Sequence, residues 1–147
     1  MAKLYVGSDH TGFTLKNQLI TYLSKEGYKV EDVGAHKFDK NDDYPDYAQK
    51  VCKKVLETNG KGILICGTGQ GMDRAANKTK GIYASISWNE RTAILSREHG
   101  GTNVLCIPGW FVSTKEAKKI AFAWINADSP KATRHIRRIN KIKRMEK

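Results

Sequence analysis

The sequence predicts an α/β fold on a parallel sheet, and three observations carry that expectation. Short apolar runs bounded by glycine and polar residues recur at 4–7, 29–33, 63–66, 82–86 and 104–107. Longer stretches with apolar residues at helical spacing fill the gaps between them. Ile63-Leu64-Ile65 shows no polar alternation, the pattern of a strand buried on both faces. Strands alternating with helices in this way build a parallel sheet covered on both sides.

The first strand, Leu4–Gly7, runs into Ser8-Asp9-His10, and Gly12 opens the helix that follows. Phe13, Leu15, Leu19, Ile20 and Leu23 give that helix an apolar face, and Gly27 is its stop. After the second strand, Lys29–Val33, the polar loop 38–43 leads to Pro45, which suits a first helical turn. Tyr47, Ala48, Val51, Val55 and Leu56 form the apolar face of this second helix. The third strand ends at Cys66 and opens into Gly67-Thr68-Gly69-Gln70-Gly71 and another helical pattern. Ile82–Ile86 is the fourth strand; the helix 89–98 follows, with His99 beyond its end and before Gly100-Gly101. Val104–Ile107 is the fifth strand, and the helix 114–124 carries Ala117, Ile120, Ala121 and Trp124 on one side. Asp128-Ser129-Pro130 breaks the chain before a basic C-terminal helix at about 131–147.

With 147 residues and no repeat or interdomain linker, one domain with a real core is expected. The net charge of +11 raises the question of nucleic acid, but +7 of it lies in residues 131–147 and only +4 in the rest. A solvated terminal helix accounts for most of that charge, above all from Lys141 onward. No nucleic-acid motif accompanies it, and aromatics are not interleaved with it. No apolar stretch approaches the roughly 18 residues that span a bilayer. The opening MAKLYVGSDH turns polar too soon for a secretory signal, so a cytoplasmic location is expected. Cys52, Cys66 and Cys106 are widely spaced with no CxxC pair, so neither a disulfide framework nor a metal site is indicated. Cys52 and Cys106 read as packing residues, and Trp88, Trp110 and Trp124 as core or interface residues.

The strand-to-helix turn after Cys66 is the place to look for chemistry. Gly67, Gly69 and Gly71 let backbone N–H groups approach a ligand closely, as an anion or a charge developing in a reaction requires. A βα turn that needs glycine for geometry alone is the competing reading. A helix N-terminus beside a thiol favours a thiolate that serves as base or nucleophile, whereas a cysteine at a strand end is also an ordinary small hydrophobe. GxxxxGK[ST] is absent, and the glycines do not fit GxGxxG, which excludes the common nucleotide loops. Asp9 and His10 sit at the equivalent end of the first strand, either as ligand contacts or as a cap and a polar loop residue. His99 ends a helix or acts as an acid–base group. Arg134 and Arg138 are four apart on one helical face and suit a phosphate or carboxylate.

Several longer pieces form a set: GSDHTGFTLK at 7–16, DYPDYA at 43–48, GILICGTGQGM at 62–72, AANK at 75–78, SREH at 96–99, NVL at 103–105 and RHIRRI at 134–139. Together they resemble the ribose-5-phosphate isomerase B and galactose-6-phosphate isomerase family nearly end to end, and ICGTGQGM followed by AANK is the most specific part. The resemblance implies a three-layer Rossmann-like fold with a five-stranded parallel sheet, one isomerase domain over 1–147, and neither metal nor cofactor. It implies a homodimer or homotetramer with pockets shared between subunits, a sugar phosphate as partner, and no nucleic acid or membrane. It assigns Cys66 the proton transfer between C1 and C2, Thr68 the exchange between O1 and O2, and His99 the opening of the cyclic sugar. Gly67, Gly69 and Gly71 become the anion hole, Asp9, His10 and Tyr44 substrate contacts, and Arg134 and Arg138 the phosphate site. Cys66 and His99 point to the ribose 5-phosphate branch, with a tetrose, allose or galactose phosphate, or a silent binding module, as alternatives. Three departures stand out: Gly100-Gly101 replaces the family's Asn-Asp, Trp110 replaces an arginine that helps hold phosphate, and Asp73-Arg74 replaces a small apolar pair.

Overall fold

The computed structural model describes residues 2–146. The chain runs β1 (Leu4–Ser8), a 3-10 turn (His10–Gly12), α1 (Phe13–Lys25), β2 (Val30–Gly34), α2 (Tyr44–Thr58), β3 (Lys61–Cys66) and α3 (Gln70–Asn77). It continues through β4 (Ala84–Ile86), α4 (Glu90–Gly100), β5 (Val104–Pro108), α5 (Thr114–Asn126) and α6 (Thr133–Met145). All five strands are parallel in the order β2-β1-β3-β5-β4. The α/β expectation is met, and the sheet separates two cores. Leu4, Val6, Ile63, Ile65, Leu105 and Ile107 turn to one face, where Leu19, Leu23, Ala93, Ala117, Ile120, Ala121 and Trp124 from α1, α4 and α5 cover them. Tyr5, Leu64, Cys66, Val104 and Cys106 turn to the other, under Ala48, Val51, Val55, Met72 and Ala76 from α2 and α3. The alternation is the two-residue period of the strands, buried on both sides.

The helix boundaries follow local chemistry. Asn89 caps α4 by accepting from Thr92 N at 2.8 Å, and Ser113 caps α5 by accepting from Glu116 N at 3.1 Å. Each is half of a reciprocal capping box. Gly27 follows α1 with φ +92°. Three expectations are corrected. α4 runs through His99 to Gly100, because Gly101, at φ +61°, is the residue that takes the left-handed cap. The fourth strand begins at Ala84, and Ile82 is buried ahead of it. Leu56 is 45% exposed, because it lies one residue past the Ala48–Val51–Cys52–Val55 stripe. Of the three tryptophans, Trp124 is a core residue, fully buried and donating from Nε1 to Thr102 Oγ1 at 2.9 Å, whereas Trp88 and Trp110 are mostly exposed.

The chain leaves β1 for β2 on one side and for β3 on the other, which makes the carboxyl ends of β1 and β3 the topological switch point. No helix among the described residues is long and apolar enough to cross a membrane. α6 buries no residue of its own; it lies against the amino ends of the strands, where Glu146 Oε1 accepts from Gly81 N at 3.2 Å.

Candidate active site

The register of the sheet decides which side chains meet. Ser8 lies beside Ile65, and Cys66 beside Pro108, so Asp9 and His10 emerge next to the turn after Cys66. That turn is tied to the end of β5: Gly109 N donates to Cys66 O and Trp110 N to Gly67 O, both at 2.9 Å. Cys66 is 5% exposed. Gln70 N donates to Thr68 Oγ1 at 3.2 Å, and Asp73 N reaches back to Gly69 O at 3.0 Å. Among the described residues, the N–H groups of Thr68, Gly69 and Gly71 make no hydrogen bond. Unpaired helix-entry amides beside a thiol form an electropositive turn.

The three glycines are bare for different reasons. Gly69 alone takes a left-handed conformation, φ +76°, as the residue that starts α3. A Cβ on Gly67 would lie 2.5 Å from the Trp110 ring, and one on Gly71 would lie 2.6 Å from the Tyr44 ring. Two aromatic rings therefore press on the turn and shape its mouth.

Across the crevice, Asp9 accepts from Thr11 N at 3.0 Å and from Thr11 Oγ1 at 2.5 Å, which caps the 3-10 turn. His10 Nδ1 and Asp42 Oδ1 are 2.7 Å apart, and the same oxygen accepts from His10 N at 3.0 Å. This hydrogen bond raises the His10 pKa above the ordinary imidazole value. Asp9, His10 and Asp42 offer ligand atoms within 4.8 Å of one another. His10 Nδ1 is engaged with Asp42 and Asp9 Oδ1 with Thr11, so the cluster is a hydrogen-bonded network. Asp42 was not legible in the sequence, since one acid in a polar loop has no period to betray it.

His99, Arg134 and Arg138 lie elsewhere. α4 starts where β4 ends and finishes where β5 begins, so its last turn sits at the opposite edge of the sheet from Cys66. There the His99 ring stacks on His135, with centroids 4.1 Å apart and planes 18° apart. His99, Arg134 and His135 line a hollow of about 310 Å³ with Lys131 and Asp128. His99, His135 and Arg138 also border a groove running along α4 to Trp88 and Ile86. Desolvation, then His99 and the two arginines, lowers the His135 pKa. His135 is the second residue missed from sequence; its only signal was its place inside RHIRRI. A single chain thus gathers Asp9, His10, Tyr44, Cys66, Thr68 and the glycines, and holds His99, Arg134 and Arg138 apart from them.

The other thiols are packing residues. Burial pushes Cys52 up to about 11 and Cys106 well above the usual thiol value. Burial also raises Asp73, half-buried on α3, while Arg74 is exposed.

Doubly wound α/β proteins bind small molecules at their switch points, and the protonatable and amide groups at this one place the chain in that class. Residues 4–142 match the Ribose/Galactose Isomerase family, and the chain belongs to it. It is 46% identical over 146 residues to a probable ribose-5-phosphate isomerase B of Mycoplasma genitalium, covering 98% of this chain and 95% of that one. It is 40% identical to ribose-5-phosphate isomerase B of Escherichia coli K12, covering 99% and 97%. The Mycoplasma genitalium ribose-5-phosphate isomerase B crystal structure with bound ribulose-5-phosphate superposes with TM-score 0.94 at 44% identity, covering 98% and 95%. The type B ribose 5-phosphate isomerase of Trypanosoma brucei does so with TM-score 0.94 at 32% identity, covering 99% of each chain.

Proposed function

We propose that this chain is a metal-independent aldose–ketose isomerase that interconverts ribose 5-phosphate and ribulose 5-phosphate, with 1–147 as one cytoplasmic isomerase domain. The observation that carries the reading is the buried Cys66 at the switch point, followed at once by unpaired amides. The ribulose-5-phosphate held by the Mycoplasma genitalium relative supports the choice of sugar.

His99 assists opening of the cyclic sugar by moving a proton between the ring oxygen and O1. Cys66 Sγ takes the proton from C2, and the electron pair moves through C1 onto O1, leaving an enediolate. The amides of the Gly67–Gly71 turn hold that developing charge. Thr68 Oγ1 passes a proton between O2 and O1, and Sγ returns its proton to C1, which completes the ketose. Arg134 and Arg138 bind the phosphate, while Asp9, His10 and Tyr44 hold the sugar.

Because His99 and the arginines lie at the far edge of their own chain, the reading requires a second copy to supply them. A homodimer, or a homotetramer made of two such dimers, meets that need. The test is ketose formation from four- to six-carbon aldose phosphates without added metal, with Cys66→Ala alongside. Turnover of ribose 5-phosphate that falls by at least about a thousandfold in Cys66→Ala is expected, the scale of losing a reacting group. Undiminished turnover in the variant would overturn the role of Cys66. Binding without turnover on every sugar would favour the silent binding module, with Trp110 over Gly67 as the remodelled wall.

A further inference from the structure

We propose that Asp42 is a positioning residue for substrate binding, fixing the His10 imidazole through one carboxylate oxygen so that Nδ1 is spent on the protein and Nε2 is left for the ligand. The proposal rests on the isomerase reading only for what the ligand is. Its geometry stands alone: Oδ1 lies 2.7 Å from His10 Nδ1 and 3.0 Å from His10 N, so a single oxygen locks both the backbone and the ring. The ring bond allows one tautomer of the neutral imidazole, with the proton on Nδ1, and the two bonds together leave little freedom about the side-chain torsions. Among the described residues, Nε2 has no hydrogen-bond partner. The ring is held on its other side by Phe38, edge-on at 6.2 Å, and Phe38 in turn meets Phe13 at the start of α1.

Asp42 is built in rather than laid on the surface. Its side chain is 6% exposed, and Oδ2 is buried without a hydrogen-bond partner among the described residues. A carboxylate taken out of water to that degree is stabilised by a cation at its other oxygen. The charged groups facing His10 are Asp9 from the end of β1 and Asp39 and Asp42 from the loop before α2. All three are acids, and the hydrogen bond to Asp42 is the largest influence raising the His10 pKa. Tyr47 on α2 faces the same carboxylate, and its hydroxyl is raised first by burial and then by Asp42. The device therefore extends the pH range over which His10 carries a positive charge. That charge sits beside the switch-point crevice, where a polyhydroxy phosphate has oxygens to meet it.

Two variants separate the charge from the geometry. Asp42→Asn keeps an acceptor oxygen for both N–H groups and loses the charge; Asp42→Ala loses both. The titration of His10 in the free protein, followed by NMR, does not depend on turnover. Its midpoint is expected to fall in both variants. In Asp42→Ala, KM for ribose 5-phosphate near neutral pH is expected to rise about tenfold with kcat within a factor of two, the scale of one charge-assisted hydrogen bond. In Asp42→Asn, KM returns to the wild-type value as the pH is lowered until His10 is protonated in both proteins. An unchanged His10 midpoint in both variants, or an unchanged KM in Asp42→Ala, would overturn the proposal. A lowered midpoint in a protein that turns over no sugar phosphate would support the His10–Asp42 pairing and sink the isomerase reading instead.

Discussion

Cys66, Cys52 and Cys106 are all buried, and what separates them is where each lies relative to the sheet edge. Cys52 lies inside α2, and Cys106 lies in the second core with Ile107 and Pro108 still to follow in β5; Cys66 is the last residue of β3 and meets an open turn. That distinction was legible, because Ile63-Leu64-Ile65 announces a central strand whose end must be Cys66. The reasons for Gly67 and Gly71 were not legible, since the rings that exclude a Cβ there come from Trp110 and Tyr44 on distant segments. Asp42 was hidden for the same reason: its partner is His10, brought beside it by the fold. The pair makes a pH prediction with a definite sign. The folded state raises the His10 pKa above the ordinary imidazole value, so the pair's contribution is complete below that ordinary value and is lost as pH rises through the folded value. The difference in Tm between wild type and Asp42→Ala is therefore expected to be larger near pH 6 than near pH 9; a difference that grows with pH would contradict the pairing.

At the scale of elements, the sequence was clearest where one face repeats. α5 buries Ala117, Ile120, Ala121 and Trp124, the four residues its periodicity picked out. It was least clear at ends set by backbone conformation. Gly100 and Gly101 are adjacent, and nothing in their side chains says that Gly101 takes the positive φ and lets α4 carry His99 in its last turn. Lys16 is a similar case: it is fully buried in α1, where Nζ reaches Asp32 on β2 and Asn17, each at 2.8 Å. The entry to α1 shows how closely helix and sheet approach at the site. A Cβ on Gly12 would lie 2.6 Å from Ile65 Cγ2 and 2.8 Å from Ile65 O. Because one of those atoms is backbone in the central strand, the clash cannot be relieved by a rotamer change. Gly12→Ala is expected to destabilise the protein by about 1–3 kcal/mol in denaturant unfolding. A variant as stable as wild type would mean that α1 is free to lift from β3.

For the molecule as a whole, topology divides the chemistry. The switch point between β1 and β3 gathers the thiol, the amides and the His10–Asp42 pair, while the run of α4 from one sheet edge to the other carries His99 away from them. α6 then adds Arg134 and Arg138 to the edge where His99 lies and ends on the Glu146–Gly81 bond. The concentration of charge at 131–147 was visible in the sequence; the place of α6 at the amino edge was not, because it depends on α5 returning the chain there. The proposed enzyme therefore joins half of one chain to half of another. Refolding Cys66→Ala together with His99→Asn in equal amounts tests this most directly, by ketose formation from ribose 5-phosphate. Each variant alone has both of its sites broken, but a mixed dimer holds one site with an intact Cys66 and an intact His99. The mixture is predicted to recover about one quarter of wild-type turnover, since half the dimers are mixed and each has one working site. A mixture no more active than either variant alone would contradict a site shared between two copies of this chain.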